Sequence, residues 1–388
     1  MIKEFGSIFA GYPAIEDVGF AGTPVHERFY SNEHLVSAFD DTLSIAKAMD
    51  RAGYDVFWLA EHHFQPEGYE VINNIPLLSL HLAHHTDHLR FGAAFNIPPM
   101  WHPLRLAEDF ATVDVLTGGR VIFGVGRGYH TREVETFGAP LLDGDANREL
   151  FEEQVELILK AFNERSFSHH GKHYVIPPAV RYRGETMEKI TLVPRPLSTP
   201  VECWQPIVSG GQRGLDFMAR HGIKGLIGGG AAPGGASERI MHQWRETLAA
   251  HGRETELGED LMVGFNLSIA DSREEAIRNA QPFYEEHVKM FGPLNMVAGL
   301  SQEQIEATKD PSLAPRAGIP GVEQLAAEGA YLVGTPEEIG DELEAIQERY
   351  PGLGSINLSL AISTPTQQVI EQLDRFAAEV IPRFRPDR

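Results

Sequence analysis

Short apolar, β-prone runs alternate with amphipathic helical runs along nearly the whole chain, and this alternation limits the fold more than any other feature. Strands are expected at 5–10, 55–59, 89–95, 120–125, 207–208, 225–227, 262–269 and 356–360. Helices are expected at 34–52, 75–85, 103–116, 148–162, 215–221, 238–250, 273–290, 336–350 and 367–380. Gly53 and Gly118 are placed to close two of them in the left-handed conformation. Val56, Phe57 and Trp58 are contiguous and apolar, which suits a strand buried on both faces of a parallel sheet. Two architectures accommodate such a beat: an α/β (β/α)8 TIM barrel and a doubly wound open sheet. The strand count favours the barrel, although periodicity alone cannot close it. The beat lapses twice. Residues 166–206 carry Pro177, Pro178, Pro194, Pro196, Pro200 and Pro206, which predicts hairpin and extended chain, with Cys203 inside it. Residues 291–329 are rich in Gly and Pro and too long for an ordinary connection, which suggests a lid over an active site. The expected organisation is one barrel domain over 1–388 with insertions at about 166–206 and 291–329.

Charge narrows the partners. Lys and Arg number 33 against 55 Asp and Glu, a net charge of −22. Such a surface repels phosphate backbones and anionic lipid, so neither nucleic acid nor membrane is an expected partner. The hydrophobic share of 42% is that of a globular, soluble protein. The single cysteine, Cys203, excludes an intramolecular disulfide and a Cys-rich zinc site. The N-terminal residues lack a basic segment followed by an apolar one, so a cytoplasmic location is expected.

Three constellations follow strands, where a barrel places its chemistry. Glu61-His62-His63-Phe64 comes directly after the second strand and offers an imidazole for acid/base work. The alternative is a merely polar loop; a metal site is disfavoured, because adjacent histidines on extended chain point apart. Gly124-Val125-Gly126-Arg127-Gly128 follows the fourth strand. Its spacing is not that of a dinucleotide fingerprint, and Tyr129-His130-Thr131 opens no obvious helix. Arg127 between glycines suits a bidentate grip on phosphate, or else a pairing with a nearby carboxylate. Ser209-Gly210-Gly211-Gln212 precedes a helix and makes either an anion site or a plain N-cap. His81, His84, His85 and His88 fall at helical spacing, which reads as a solvated or subunit-contacting face rather than a metal face. Gly228-Gly229-Gly230 and Gly234-Gly235 read as turns.

Five stretches together resemble the bacterial-luciferase-like flavin-dependent monooxygenases, from Phe5 to about Arg385. They are Trp58-Leu59-Ala60-Glu61-His62-His63-Phe64; His102-Pro103 with Ala107-Glu108-Asp109; the run from Gly119 to Gly128; Val333-Gly334-Thr335-Pro336-Glu337-Glu338; and Val380-Ile381-Pro382. The resemblance implies a (β/α)8 barrel that takes reduced FMN from a separate flavin reductase. It implies reaction with O2 to a flavin C4a-peroxide that oxygenates a small organic substrate. It assigns acid/base work at the flavin to His62 and the FMN phosphate to Arg127, with Gly128 beside it, and to Ser209, Gly210 and Gly211. Glu61, His63, Ala94 and Phe95 complete the implied cofactor site, with a cis peptide between Ala94 and Phe95 beside the ring. It also implies a dimer, here a homodimer. Gly126 stands where the light-emitting catalytic subunit has cysteine, which speaks against an aldehyde luciferase but leaves monooxygenation intact.

Two other readings share the barrel: hydride transfer with a deazaflavin and no O2, and a non-catalytic flavin-binding subunit. His62 argues against the last. Phe9, Tyr12, Phe64, Phe95 and Trp101 near the expected mouth suggest an apolar substrate, or else packing around the flavin.

Overall fold

A computed structural model describes residues 2–297 and 299–385. Its centre is a ring of eight parallel strands: β1 (Glu4–Phe9), β2 (Val56–Leu59), β3 (Arg90–Ala93), β4 (Val121–Gly124), β5 (Cys203–Pro206), β6 (Lys224–Ile227), β7 (Leu261–Ile269) and, after a strand β8 (Tyr331–Gly334) outside the ring, β9 (Ser355–Ser359). Neighbours run β6-β5-β4-β3-β2-β1-β9-β7, and β7 pairs back onto β6 from Gly225↔Leu261 to Ile227↔Val263. That last pairing closes the barrel and removes the open-sheet alternative. β7 is nine residues long and serves three partners, β6, β9 and β8. Met262 to Asn266 pair with β9, and Asn266 to Ile269 pair with β8.

Around the ring lie α1 (Asn32–Ala52), α2 (Ile75–Ala83), α3 (Pro103–Thr117), the single turn α4 (Thr131–Val134), α5 (Gly144–Asn163), α6 (Gln212–His221), α7 (Ala236–Ala250), α8 (Arg273–Phe291), α9 (Gln302–Ala307), α10 (Val322–Ala327), α11 (Pro336–Arg349) and α12 (Thr366–Glu379). Gly53 and Gly118 end α1 and α3 at positive φ, and Thr335 with Glu338 forms a capping box on α11. None of these helices is long and apolar enough to cross a membrane.

Two layers of core follow from the strand pattern. Phe5, Phe57, Leu59, Phe91 and Phe123 point outward into the helices. Val56, Trp58, Ile122, Trp204 and Met262 fill the barrel interior, where Trp58 and Trp204 meet edge to face at 5.8 Å. Room for Trp58 comes from glycine on both neighbouring strands. A Cβ on Gly92 would lie 2.3 Å from the indole, and one on Gly6 would lie 2.9 Å away.

Several sequence expectations need correction. The fifth strand is Cys203–Pro206, not 207–208. Cys203 is therefore a buried wall residue of the barrel rather than part of the proline-rich insertion. Proline tolerates this strand only as its last residue, where the following Ile207 N–H still donates to Leu226. The insertion before it does form two short hairpins, at His169–His170 with Val175–Ile176 and at Arg181–Tyr182 with Glu185–Thr186. The four histidines do not share a helical face. α2 stops at Ala83, and His88 lies beyond it with Nδ1 3.2 Å from Asp50, whose carboxylate also accepts the N–H groups of Asp87, His88 and Leu89. Thr131 does open a helix, though one turn only.

A buried ionic knot joins α8 to the long β1–α1 connection. Glu286 accepts from Arg28 at 3.1 Å, from Lys289 at 2.8 Å, from the Gly19 N–H at 2.9 Å and from the Tyr69 hydroxyl. Arg28 also donates to the Glu16 and Asp17 carbonyls, and Lys289 to those of Gly19 and Thr23. This fixes α8 above the rim formed by the C-terminal strand ends.

Candidate active site

That rim surrounds a cavity of about 610 Å3, within the range of small-molecule sites. Residues at or just past β1, β2, β3, β4, β5 and β9 line it, and α8 with the segment after it supplies His287, Phe291 and Met296.

His62 leaves β2 at this rim with its ring buried between two carboxylates. Nδ1 is 3.3 Å from Glu133 and Nε2 is 3.0 Å from Glu70. Burial alone would discharge the ring. The charges of Glu70, Glu133 and Glu61 outweigh it and hold the pKa above the ordinary imidazole value. The carboxylates respond reciprocally. Burial pushes Glu70 up, but His62, His130 and the Gln65 amide bring it below its usual range, and Glu133 is likewise lowered against burial by His62 and His130. Gln65 donates to Glu70 at 2.7 Å and to Glu133 at 3.1 Å. Tyr129 donates to Glu70 at 3.2 Å and touches His62 Nε2 at 3.2 Å. Burial, then Glu70 and Glu133, raise the Tyr129 pKa, so its hydroxyl keeps its proton. His130 Nε2 lies 3.3 Å from the other Glu70 oxygen. His62, Glu70 and His130 thus present donor atoms within 4.8 Å of one another, a composition that could also receive a cation. Here those atoms bond to each other, and we read the group as a place that holds a proton.

Another part of the lining is basic. Arg127 and Arg148 both line the cavity, as do Gly128, Ser209, Gly210, Gly211 and Gly214. Asn147 fixes Arg127 from both sides, accepting from its guanidinium at 3.2 Å and donating to its carbonyl at 3.2 Å. No carboxylate among the described residues pairs with Arg127. Burial, then the Arg148 charge, lower its pKa, with Glu152 opposing, so an anion there would relieve it. Gly211 caps α6 without a side chain, which leaves the first N–H groups of that helix free for an acceptor. These residues fit the phosphate of a flavin mononucleotide. Ala94 and Phe95 line the same cavity, joined by a cis peptide bond as the family resemblance implied.

The remaining sequence candidates divide. Glu61 lines the cavity, but its oxygens are taken by the Ile97 N–H at 3.0 Å, the Trp101 indole at 2.7 Å and His63 at 3.2 Å. It pins the β2 and β3 exits together. His63 stands outside the cavity lining, against Glu61 and the Phe137 ring. Phe64 is half exposed and stacks on Phe137, and Trp101 also lies outside, whereas Phe9, Tyr12 and Phe95 line the cavity. Sequence reading missed Gln65, Glu70, Tyr129, His130, Glu133, Arg148 and His287. Tyr129 and His130 follow a barrel strand and were within reach of the strand-end rule. The others reach the site from loops and helices that only the tertiary structure brings together.

A closed parallel barrel with a cavity at the C-terminal ends of its strands is the architecture of barrel enzymes. The chain belongs to the luciferase-like monooxygenase family, whose model matches residues 20–351. The first curated relatives are matched over less than half of their own length, 44% and 40%. Longer matches include the oxygenase component of the flavin-dependent trigonelline monooxygenase of Acinetobacter baylyi, 24% identical over 92% of this chain and 93% of the relative. An F420-dependent glucose-6-phosphate dehydrogenase of Kineococcus radiotolerans is 26% identical over 87% of this chain and 90% of the relative. Among solved structures, the oxygenating constituent of 3,6-diketocamphane monooxygenase from Pseudomonas putida, in complex with FMN, superposes with a TM-score of 0.70 at 20% identity, covering 99% of each chain.

Proposed function

We propose that the protein is the oxygenase component of a two-component flavin-dependent monooxygenase, taking reduced FMN from a separate reductase and using O2 on a small organic substrate. One observation carries the reading: Arg127, with no carboxylate paired to it among the described residues, opens into the same cavity as a buried imidazole whose pKa is held above its ordinary value. Arg127, Arg148, the 209–211 loop and the α6 N-terminus would hold the phosphate. Ala94 and Phe95 would carry the ring system. When bound, reduced FMN supplies the activation of O2 and transfer of one oxygen atom. His62 holds a proton against the ring, fixed by Glu70, Glu133 and Tyr129, and gives or takes it as charge develops. Phe291 and Met296, at the start of the 291–329 segment, support its role as a cover that keeps water out.

Hydride transfer with a deazaflavin is the second reading, supported by the F420-dependent relative. Oxygen uptake by the protein with FMNH2, over a panel of neutral organic compounds, tests the first. Substrate-dependent oxygenated product is expected. Tight deazaflavin binding with no FMN binding and no oxygen uptake would replace it with the second.

A further inference from the structure

His287 is the one imidazole of the cavity wall that the proton site does not use. It comes from α8, whereas His62 and Arg127 come from the strand ends. Its ring packs on Phe291 at 4.4 Å between centroids, Phe291 faces Tyr129 at 6.4 Å, and Tyr129 meets His62 at 5.4 Å. A run of four rings therefore follows one wall from the proton site to His287. Every other polar group on that wall is engaged: Tyr129 with Glu70, His62 with both carboxylates. The His287 ring nitrogens have no hydrogen-bond partner among the described residues, and the residue lines the cavity that a ligand would fill.

We propose that His287 selects the substrate, its imidazole accepting a hydrogen bond from the hydroxyl of an uncharged ring compound seated against Phe291 and Met296. This rests on the reading of the cavity as a flavin monooxygenase site. Two considerations set the chemistry. Burial pushes the His287 pKa down to about 4, with Glu70 opposing only in part, so the ring is uncharged near neutral pH and offers no counterion to a carboxylate. The negative field of Glu70 also favours a partner that brings a hydrogen over one that brings a carbonyl oxygen. The charge acting on His287 is thus that of a carboxylate and the surface packed on it is the flat ring of Phe291, which together suit a phenolic or enolic hydroxyl on a flat, apolar body.

Phenol and anisole differ by the methyl that removes this donor. Titrated calorimetrically into the FMN-loaded protein, phenol is expected to bind roughly tenfold more tightly than anisole, as one hydrogen bond to a desolvated acceptor would give. His287→Phe keeps the ring stacked on Phe291 and should level the two affinities, while His287→Gln, which retains an acceptor, should keep part of the difference. FMN affinity should be the same in all three proteins. Equal binding of phenol and anisole to the wild type, an unchanged ratio in His287→Phe, or no binding of either compound would overturn the assignment. The same titration on flavin-free protein separates the two claims. A phenol preference without any FMN binding would defeat the flavin reading and leave the hydroxyl pocket standing.

Discussion

At the scale of single residues, His62 is defined by what surrounds it. The sequence marked it by its place after the second strand, and the structure surrounds it with Glu70, Glu133, Gln65 and Tyr129, none of which lies on a barrel strand. Replacing His62 with Asn should lower turnover roughly 10²–10⁴-fold while FMN still binds; steady-state rates with FMNH2 check this. Glu70→Gln is a finer probe. Glu70 is the largest of the charges that raise the His62 pKa, so losing it lets burial pull that pKa down. If protonated His62 is required, the alkaline limb of the pH–rate profile should move to lower pH, and an unmoved limb would argue that another group sets it. The linkage runs the same way for stability. The raised His62 pKa stabilises the fold below the unfolded imidazole value and loses that contribution as pH rises through the folded one. Glu70 and Glu133 show why the sequence could not disclose this site. A carboxylate becomes part of it by lying within 3.3 Å of one ring, and nothing in its local sequence records that.

Elements were more legible, because each helix and strand announces itself through its own period. The failures have local causes. Four clustered prolines hid the start of β5, and β8 was missed because four residues after a long irregular stretch carry too little pattern. α8 was expected from its spacing, but its function as an anchored roof was not. Glu286 and Lys289 carry no local signal of burial, yet both are buried in the knot with Arg28. Removing one partner strands the others without compensation. Glu286→Ala should therefore cost on the order of 3–5 kcal/mol, read as a lowered midpoint in chemical denaturation. A loss under 1 kcal/mol would mean that water readily enters the knot.

For the whole molecule, alternation gave the strand number, and closure depended on contacts no window of sequence contains. The β6–β7 pairing is one; the fit of Trp58 between Gly6 and Gly92 is another. A methyl at Gly92 meets ring carbons that cannot move within the barrel, so Gly92→Ala should cost about 1–3 kcal/mol through overpacking, measurable by thermal unfolding. Closure also brings Arg127 after β4, Arg148 at the start of α5 and the 209–211 loop after β5 into the cavity that His62 lines. That convergence is the basis of the central claim, and a comparison of FMN with riboflavin tests it most directly. In titrations of wild type and Arg127→Ala, FMN affinity should fall by about 2–5 kcal/mol in the variant, while riboflavin, which lacks the phosphate, should bind both proteins equally. Equal losses for the two flavins, or no loss for either, would contradict the account.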